Sequence, residues 1–206
     1  MKILELFAGS CSFTKVAKRL GHETFATDIK DYKYIDLKKD IFQLNYKEIP
    51  FYPDLIWASP PCTTFSVASI GSYWKGGKGA YVPKKAEAYI GIALVQKAKD
   101  IIEYYKPKYY YIENPRGVLR KLDVVKDLPI RNTVWYCQYG DSRAKPTDIW
   151  TNDESWIPRR VCKNGNRNCH HEPAPRGSKT GTQGKKNAFL RSIVPEQLCN
   201  EILINK

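Results

Sequence analysis

The chain lacks any long apolar run. Nothing in its 206 residues approaches the ~20 consecutive apolar positions that a membrane-spanning helix needs. The opening Met1-Lys2-Ile3-Leu4-Glu5 has neither the apolar stretch nor the cleavage pattern of a secretory leader. A soluble protein of the cytoplasm is expected, with no membrane partner. Cysteine is sparse too. Six in 206 residues is too dilute for a disulfide scaffold, so free thiols or metal ligands are expected. No internal repeat is present, which excludes a repeat architecture. Acidic residues are in short supply, with 21 Asp and Glu against 34 Lys and Arg. That imbalance fits a polyanionic partner, because Lys and Arg release counterions as they neutralise phosphates. Charge alone leaves a merely soluble basic protein equally open.

What is present is enough for one domain with a sizeable core: 42% of residues are hydrophobic and 27% charged. Residues 2–7 read as a strand, Ala8-Gly9-Ser10 as a turn, and Phe13, Val16, Ala17 and Leu20 as one helix face. Ser10 or Ser12 is the expected N-cap, and Gly21 the end. A second strand through Glu23–Thr27 meets Asp28. Strand, tight turn, helix, strand and acid together begin a nucleotide-binding βαβ unit. Further strands are expected at 54–58, 109–113, 133–137 and 149–150, the last as a hairpin partner. A long helix carries Ile90, Ala93, Leu94, Ile101, Ile102 and Tyr105 at helical spacing and stops at Pro107. The Gly- and Lys-rich stretch 67–83 reads as a long functional loop. Residues 195–204 read as a closing helix with Pro195 in its first turn. Alternating strands and helices predict a mostly parallel, doubly wound α/β sheet.

One segment carries the chemistry. The apolar run Asp54–Ala58 ends in Ser59-Pro60-Pro61, and Cys62 follows at once. Proline cannot continue a central strand, so the chain must leave the sheet there and present Cys62 on a stiff loop at a strand's carboxyl end. Ligands bind at that edge of an open α/β sheet. Three strand ends bear polar groups: Ala8-Gly9-Ser10, Pro61-Cys62 and Glu113-Asn114. An activated thiol beside a carboxyl group suits addition to an electron-poor ring, with the thiolate attacking while the acid serves a ring nitrogen.

The motifs, in order, resemble those of the DNA (cytosine-5) methyltransferases. Leu4-Glu5-Leu6-Phe7-Ala8-Gly9 resembles the first cofactor motif. Asp28 stands where the family has an acid for the cofactor's ribose, and Asp40-Ile41 resembles the pair that holds its adenine. Pro60-Pro61-Cys62-Thr63-Thr64-Phe65-Ser66 resembles the nucleophile loop, and Glu113-Asn114-Pro115-Arg116-Gly117 the Glu-Asn-Val motif. Tyr139-Gly140 with Arg143, Lys145 and Thr147 resembles Tyr-Gly-Val-Pro-Gln-x-Arg-x-Arg. Val194-Pro195 resembles the closing Asn-x-Val-Pro, with Ser192 in place of Asn.

The resemblance implies a Rossmann-like, S-adenosylmethionine-dependent methyltransferase fold. It implies transfer of a methyl group to carbon 5 of a flipped cytosine in double-stranded DNA. The implied catalytic residues are Cys62, Glu113 and Lys145. Phe7, Ala8, Gly9, Ser10, Asp28, Asp40, Ile41 and Pro60 would face the cofactor. The same chemistry on RNA, another alkyl donor, or an idle DNA-binding protein are the rival readings. Amino methyltransferases have an aromatic residue after Pro-Pro, so Cys62 in that slot favours carbon methylation.

Three segments are expected: a catalytic and cofactor-binding domain over 1–152, a short basic Cys/His insert over 153–190, and a C-terminal helix over 191–206 that packs back. The insert occupies the place of the family's target-recognition domain and is far shorter. Ser66, Arg116, Arg143, Arg159, Arg160, Lys163, Arg167 and Lys185 are the expected nucleic-acid contacts. Within the insert, Cys162-x6-Cys169-His170-His171 could ligate one structural zinc. Adjacent histidines point different ways, so Cys162, Cys169 and one histidine, His171, are the expected ligands. Cys199 or Cys137 would complete the set. A monomer or a DNA-bound dimer is expected, in a bacterial or phage-infected cell.

Overall fold

The computed structural model describes residues 1–77, 80–173, 187–204 and 206. Among these, nine strands occur in chain order: β1 (Lys2–Leu6), β2 (Glu23–Asp28), β3 (Leu37–Lys38), β4 (Leu55–Ala58), β5 (Trp74–Gly77), β6 (Ala80–Pro83), β7 (Tyr109–Pro115), β8 (Ile130–Trp135) and β9 (Pro146–Thr151). The helices are α1 (Ser12–Arg19), α2 (Ile70–Tyr73), α3 (Ala86–Tyr105), α4 (Ala188–Ser192) and α5 (Glu196–Ile204). Seven strands form one sheet in the order β3-β2-β1-β4-β7-β9-β8, and β5 and β6 form a separate hairpin. β3, β2, β1, β4 and β7 run parallel, with Leu4 opposite both Phe25 and Ile56. β9 enters antiparallel between β7 and β8.

Side chains alternate across the sheet, and both faces are buried. Leu4, Leu6, Ile56, Ala58 and Ile112 join one cluster with Val95, Ala98 and Ile101 of α3. Ile3, Leu55, Trp57 and Tyr111 join the other with Phe13 and Val16 of α1 and Leu198 and Ile202 of α5. Covered parallel strands therefore read as continuous apolar runs, as Leu55-Ile56-Trp57-Ala58 does. The chain moves outward from β1 to β2 and β3, then returns to β4 on the other side. A crevice opens where that direction reverses, at the carboxyl ends of β1 and β4.

Four expectations need correcting. α1 is not capped by a serine: Cys11 precedes it in the left-handed conformation, φ 51°, with no side-chain cap. The serines serve elsewhere, for Ser12 Oγ lies 2.8 Å from Ser10 Oγ and accepts from Val194 N at 3.1 Å. Helix α3 is present, but its buried face is Ala88, Gly91, Val95, Ala98, Ile101 and Tyr105, and Ile90 is exposed. The strand expected over 133–137 ends at Trp135, and Cys137 lies in a short 3-10 turn, Tyr136–Tyr139. The stretch 67–83 is not an open loop. It holds α2 and the β5–β6 hairpin, pinned by Trp74, which is 4% exposed.

α5 packs back on α1, and Arg19 reaches Glu196 at 2.7 Å. The described part of the insert leans on the main core through Trp156, whose ring meets Tyr111 edge-on at 5.9 Å. Below it, buried Asp153 takes the Lys206 ammonium at 2.6 Å and the Tyr111 hydroxyl at 2.5 Å. No helix among the described residues is long and apolar enough to cross a membrane.

Candidate active site

The crevice is walled first by the turn after β1. Ala8 N donates to Thr27 O at 3.1 Å, which ties the turn to β2. Gly9 N donates to Asp28 Oδ2 at 2.9 Å, and Lys30 N donates to Asp28 Oδ1 at 2.8 Å. Two backbone donors thus hold the Asp28 carboxylate at the end of β2. Phe7 at φ 55° and Cys11 at φ 51° bend the backbone on either side of Gly9. Ser10 is buried, and its carbonyl accepts from Lys15 Nζ at 2.8 Å. Asp40 caps a short 3-10 turn by accepting from Phe42 N at 3.0 Å, and Ile41 beside it is buried. Phe7 to Ser10, Asp28, Asp40 and Ile41 therefore sit at the ends of β1 and β2 and just after β3. Their carboxylates and open turn have the donor and acceptor chemistry for an adenosyl group. Space beside Gly9 is open, since a Cβ there would meet Ser192 Oγ only at 3.8 Å.

The Cys62 loop is the second wall. Pro60 O accepts from Asn114 Nδ2 at 2.9 Å, so the loop after β4 is stitched to the end of β7. Cys62 O accepts from Phe65 N at 3.0 Å and Ser66 N at 3.1 Å, closing a tight turn under the thiol. Two glycines let neighbours approach that turn. A Cβ on Gly91 of α3 would lie 2.6 Å from Thr64 Oγ1, and one on Gly117 would lie 2.1 Å from Phe65 O. Trp74 completes the clamp: its Nε1 donates to Thr64 O at 2.7 Å and its ring stacks on Phe65 at 6.1 Å.

Glu113 and Lys145 meet beside this loop. Glu113 is buried, its Oε1 accepts from the Tyr136 hydroxyl at 2.9 Å, and Lys145 Nζ lies 3.9 Å from the same oxygen. The ammonium also donates to Arg191 O at 3.1 Å and rests 4.4 Å from the Tyr136 ring centroid. Burial pushes the half-buried Cys62 thiol above its ordinary value; the Lys145 charge pulls it down and Glu113 adds to the rise. Burial likewise lowers Lys145, against the opposing pull of Glu113 and Cys62. Burial and the Glu113 charge raise Tyr136 well above an ordinary phenol, so it stays protonated and donates. The site thus pairs a thiol with a buried carboxylate and a buried ammonium.

The expected nucleic-acid contacts divide. Arg116 is exposed at the rim, its guanidinium over Trp135 at 5.3 Å, and Ser66 bridges to Gly117 nearby. Arg160, Lys163 and Arg167 are exposed on the insert. Arg143 is not available to phosphate. It is 1% exposed, paired to Asp141, and donates to the carbonyls of Leu190, Arg191 and Ile193. Arg159 is likewise engaged, with Glu201 at 2.7 Å and with Gln197 and the Gln138 carbonyl at 2.8 Å. Both hold the chain together. Lys185 lies outside the described residues.

Sequence reasoning passed over Tyr136 and Trp74. The position of Tyr136 is visible only once β8 is laid beside β9. Trp74 did carry a signal, a lone tryptophan in an otherwise polar stretch.

The Cys/His group also assembles. Donor atoms of Cys137, Cys162, Cys169 and His171 lie within 4.8 Å of one another. His170 turns away, with Nε2 3.1 Å from Asp141 O. Cys199 is fully buried in the packing of α1 and α5, which leaves Cys137 as the fourth member.

A seven-stranded sheet with one antiparallel strand next to its edge is the methyltransferase architecture, and here the Cys62 loop is bonded to the Glu113-Asn114 turn at its crevice. The sequence profile of the C-5 cytosine-specific DNA methylases matches residues 1–128. A relative from Frog virus 3, named as a probable DNA (cytosine-5)-methyltransferase, is 31% identical over 217 residues, covering 98% of this chain and 99% of its own. A solved structure described as a putative DNA modification methyltransferase encoded within a prophage (E. coli) superposes with a TM-score of 0.53 at 15% identity, over 80% of this chain and 52% of that one. The chain belongs to the C-5 cytosine-specific DNA methylase family, and its activity is that of a DNA (cytosine-5) methyltransferase.

Proposed function

We propose that Cys62 is the nucleophile, Glu113 the group that serves ring nitrogen 3, and Lys145 the cation that steadies both. Cys62 gives up its proton to solvent and its sulfur bonds to carbon 6 of a cytosine turned out of the duplex, opening the ring's 5,6 double bond. Flipping the base costs a few kcal/mol, which contacts at the rim must offset. Glu113 hydrogen-bonds or protonates nitrogen 3, so electron density moves to carbon 5, which takes the methyl group. S-adenosylmethionine, when bound, supplies that methyl as an electrophile. Removal of the carbon-5 proton then returns its electron pair to the ring and expels the Cys62 thiolate.

The observation that carries this assignment is the meeting of Glu113, Lys145 and the Cys62 loop at one crevice, with Tyr136 locking the carboxylate. Phe7, Ala8, Gly9, Ser10, Asp28, Asp40, Ile41 and Pro60 would hold the cofactor. Ser66, Arg116, Arg160, Lys163 and Arg167 would meet double-stranded DNA. A structural zinc on the insert's Cys/His group belongs to the same reading, which divides the chain at 153 and 191. The protein would act as a monomer or DNA-bound dimer in the cytoplasm, where the DNA is. The test is incubation with genomic DNA and labelled cofactor, followed by nucleoside analysis. Labelled 5-methylcytosine supports the reading; label on an exocyclic amine, or none in DNA, overturns it.

A further inference from the structure

We infer that Cys137, Cys162, Cys169 and His171 hold one zinc ion as a clamp between the recognition insert and the turn that positions Glu113. The inference rests on the methyltransferase reading for its consequence, but not for its chemistry.

The donor set is three thiols and an imidazole, all within 4.8 Å. A tetrahedral shell with bonds of about 2.3 Å places sulfurs ~3.8 Å apart, so little movement would close it. Soft sulfur donors with one imidazole select zinc over hard cations. All six cysteines of the chain are free thiols, so no disulfide competes for these three. His171 Nδ1 faces Cys162 Sγ at 3.9 Å. Amide donors already surround the sulfurs: Gln138 Nε2 lies 3.7 Å from both Cys137 and Cys169, and Asn166 Nδ2 lies 3.6 Å from Cys162. Such outer contacts orient ligands at structural metal sites. On binding, the thiols would release their protons to solvent. Three thiolates and one divalent ion would leave a single negative charge, beside exposed Arg160, Lys163 and Arg167.

The new element is the origin of the fourth ligand. Cys162, Cys169 and His171 belong to the insert, but Cys137 follows Tyr136, whose hydroxyl donates to Glu113. The ion would therefore tie the insert to the catalytic half. Among the described residues the apolar packing there is slight, with Trp135, Cys137, Ala144 and Cys162 forming the cluster and Cys169 packed against it. Two backbone links run alongside, Glu172 N to Ser142 O at 2.9 Å and the bridge of Arg143 with Glu172.

The test uses the full chain purified without chelator. About one zinc per chain is expected. Cys137→Ser and Cys162→Ser should each bring that ratio close to zero, while Cys199→Ala should keep it. Binding of S-adenosylmethionine, read by calorimetry, should stay within about twofold in every variant, which also shows that each has folded. Duplex-DNA affinity should fall by about tenfold or more when the metal is lost, as the basic residues cease to act as a unit. Proteolysis between 153 and 173 should quicken. A metal-free wild type overturns the site. A zinc content that survives Cys137→Ser overturns the clamp, as does unchanged DNA affinity after chelation. Absence of methyl transfer from a fully zinc-loaded chain would instead count against the activity alone.

Discussion

The Cys62 loop and the described part of the insert, residues 153–173, are held by different physics. Around Cys62, backbone is clamped by apolar bodies: Phe65 is fully buried, Trp74 covers it, and Gly91 and Gly117 admit neighbours closer than any side chain would allow. Around residues 157–171 the chain offers Ile157 and Val161 to solvent, 83% and 76% exposed, and relies on Arg159, Glu172 and the Cys/His group. Added salt screens exposed ion pairs but does not weaken hydrophobic clamping in the same way. On the roles proposed above, the difference is functional: a reacting thiol must be held still, whereas a surface that meets DNA tolerates looser moorings.

Removing chemistry from the stiff half should have the largest effect. Cys62→Ser should abolish turnover and leave cofactor binding intact, because the turn after β1 builds that pocket. DNA carrying 5-fluorocytosine should trap the wild type covalently, as fluorine blocks the final elimination. Methylation by the serine variant at the wild-type rate would falsify the mechanism. Glu113→Gln should cost about 10²–10⁴-fold in kcat with a much smaller change in DNA affinity. An affinity loss at constant kcat would recast Glu113 as a binding group.

A matched pair of truncations then sharpens the contrast. Trp74→Ala should cost about 3–5 kcal/mol, seen as a lowered melting temperature, because it empties the space against Phe65. Arg159→Ala, which breaks a partly exposed pair with Glu201, should cost no more than about 1 kcal/mol. Equal losses would mean that the insert is as firmly packed as the loop.

Sequence legibility follows the same division. β4 announces itself, since a strand buried on both faces must be apolar throughout, and β1 and the first half of β7 are nearly so. Cys62, Glu113 and Asn114 stand next to those strands, so their meeting follows from strand order. The burial of Arg143 is hidden in the sequence because, besides nearby Asp141, its partners are the carbonyls of Leu190, Arg191 and Ile193, more than forty positions away. A guanidinium looks the same in sequence whether it meets phosphate or peptide. The α3 face was misplaced because Gly91, which carries no apolar signal, is what the Cys62 loop packs against.

Two pH experiments give smaller effects. Burial raises the Cys62 thiol above its ordinary value, so alkylation by iodoacetamide should keep accelerating beyond the pH at which a free thiol levels off. Lys145→Met, which removes the charge that pulls it down, should move the profile further up; a downward move contradicts the assignment. Buried Glu5, which accepts from Thr14 N at 2.7 Å, has its carboxyl pushed up to about 7 by burial, from an ordinary 4.5. The folded chain holds that proton more tightly, so its contribution is full below about 4.5 and is lost as pH rises to about 7. Across that window Glu5→Gln should gain in melting temperature relative to wild type. A difference that stays constant with pH would place the Glu5 proton elsewhere.

The antiparallel course of β9 has a consequence for how such a protein can diversify. Thr147 lies opposite Pro115 at the catalytic rim, whereas Thr151 lies opposite Tyr111 further down, so the insert departs from the far side of the sheet. It climbs back past Trp156 to Glu172, and the chain resumes at the rim where Arg191 and Ile193 lend their carbonyls to Lys145 and Arg143. The chain is therefore moored on either side of residues 174–186, at Glu172 and at Arg191. Doubling the length of a moored span costs only about 0.6 kcal/mol. If the insert meets DNA as proposed, inheritance could rewrite which DNA words are read by insertion or deletion within it, while the reaction itself is passed on unchanged.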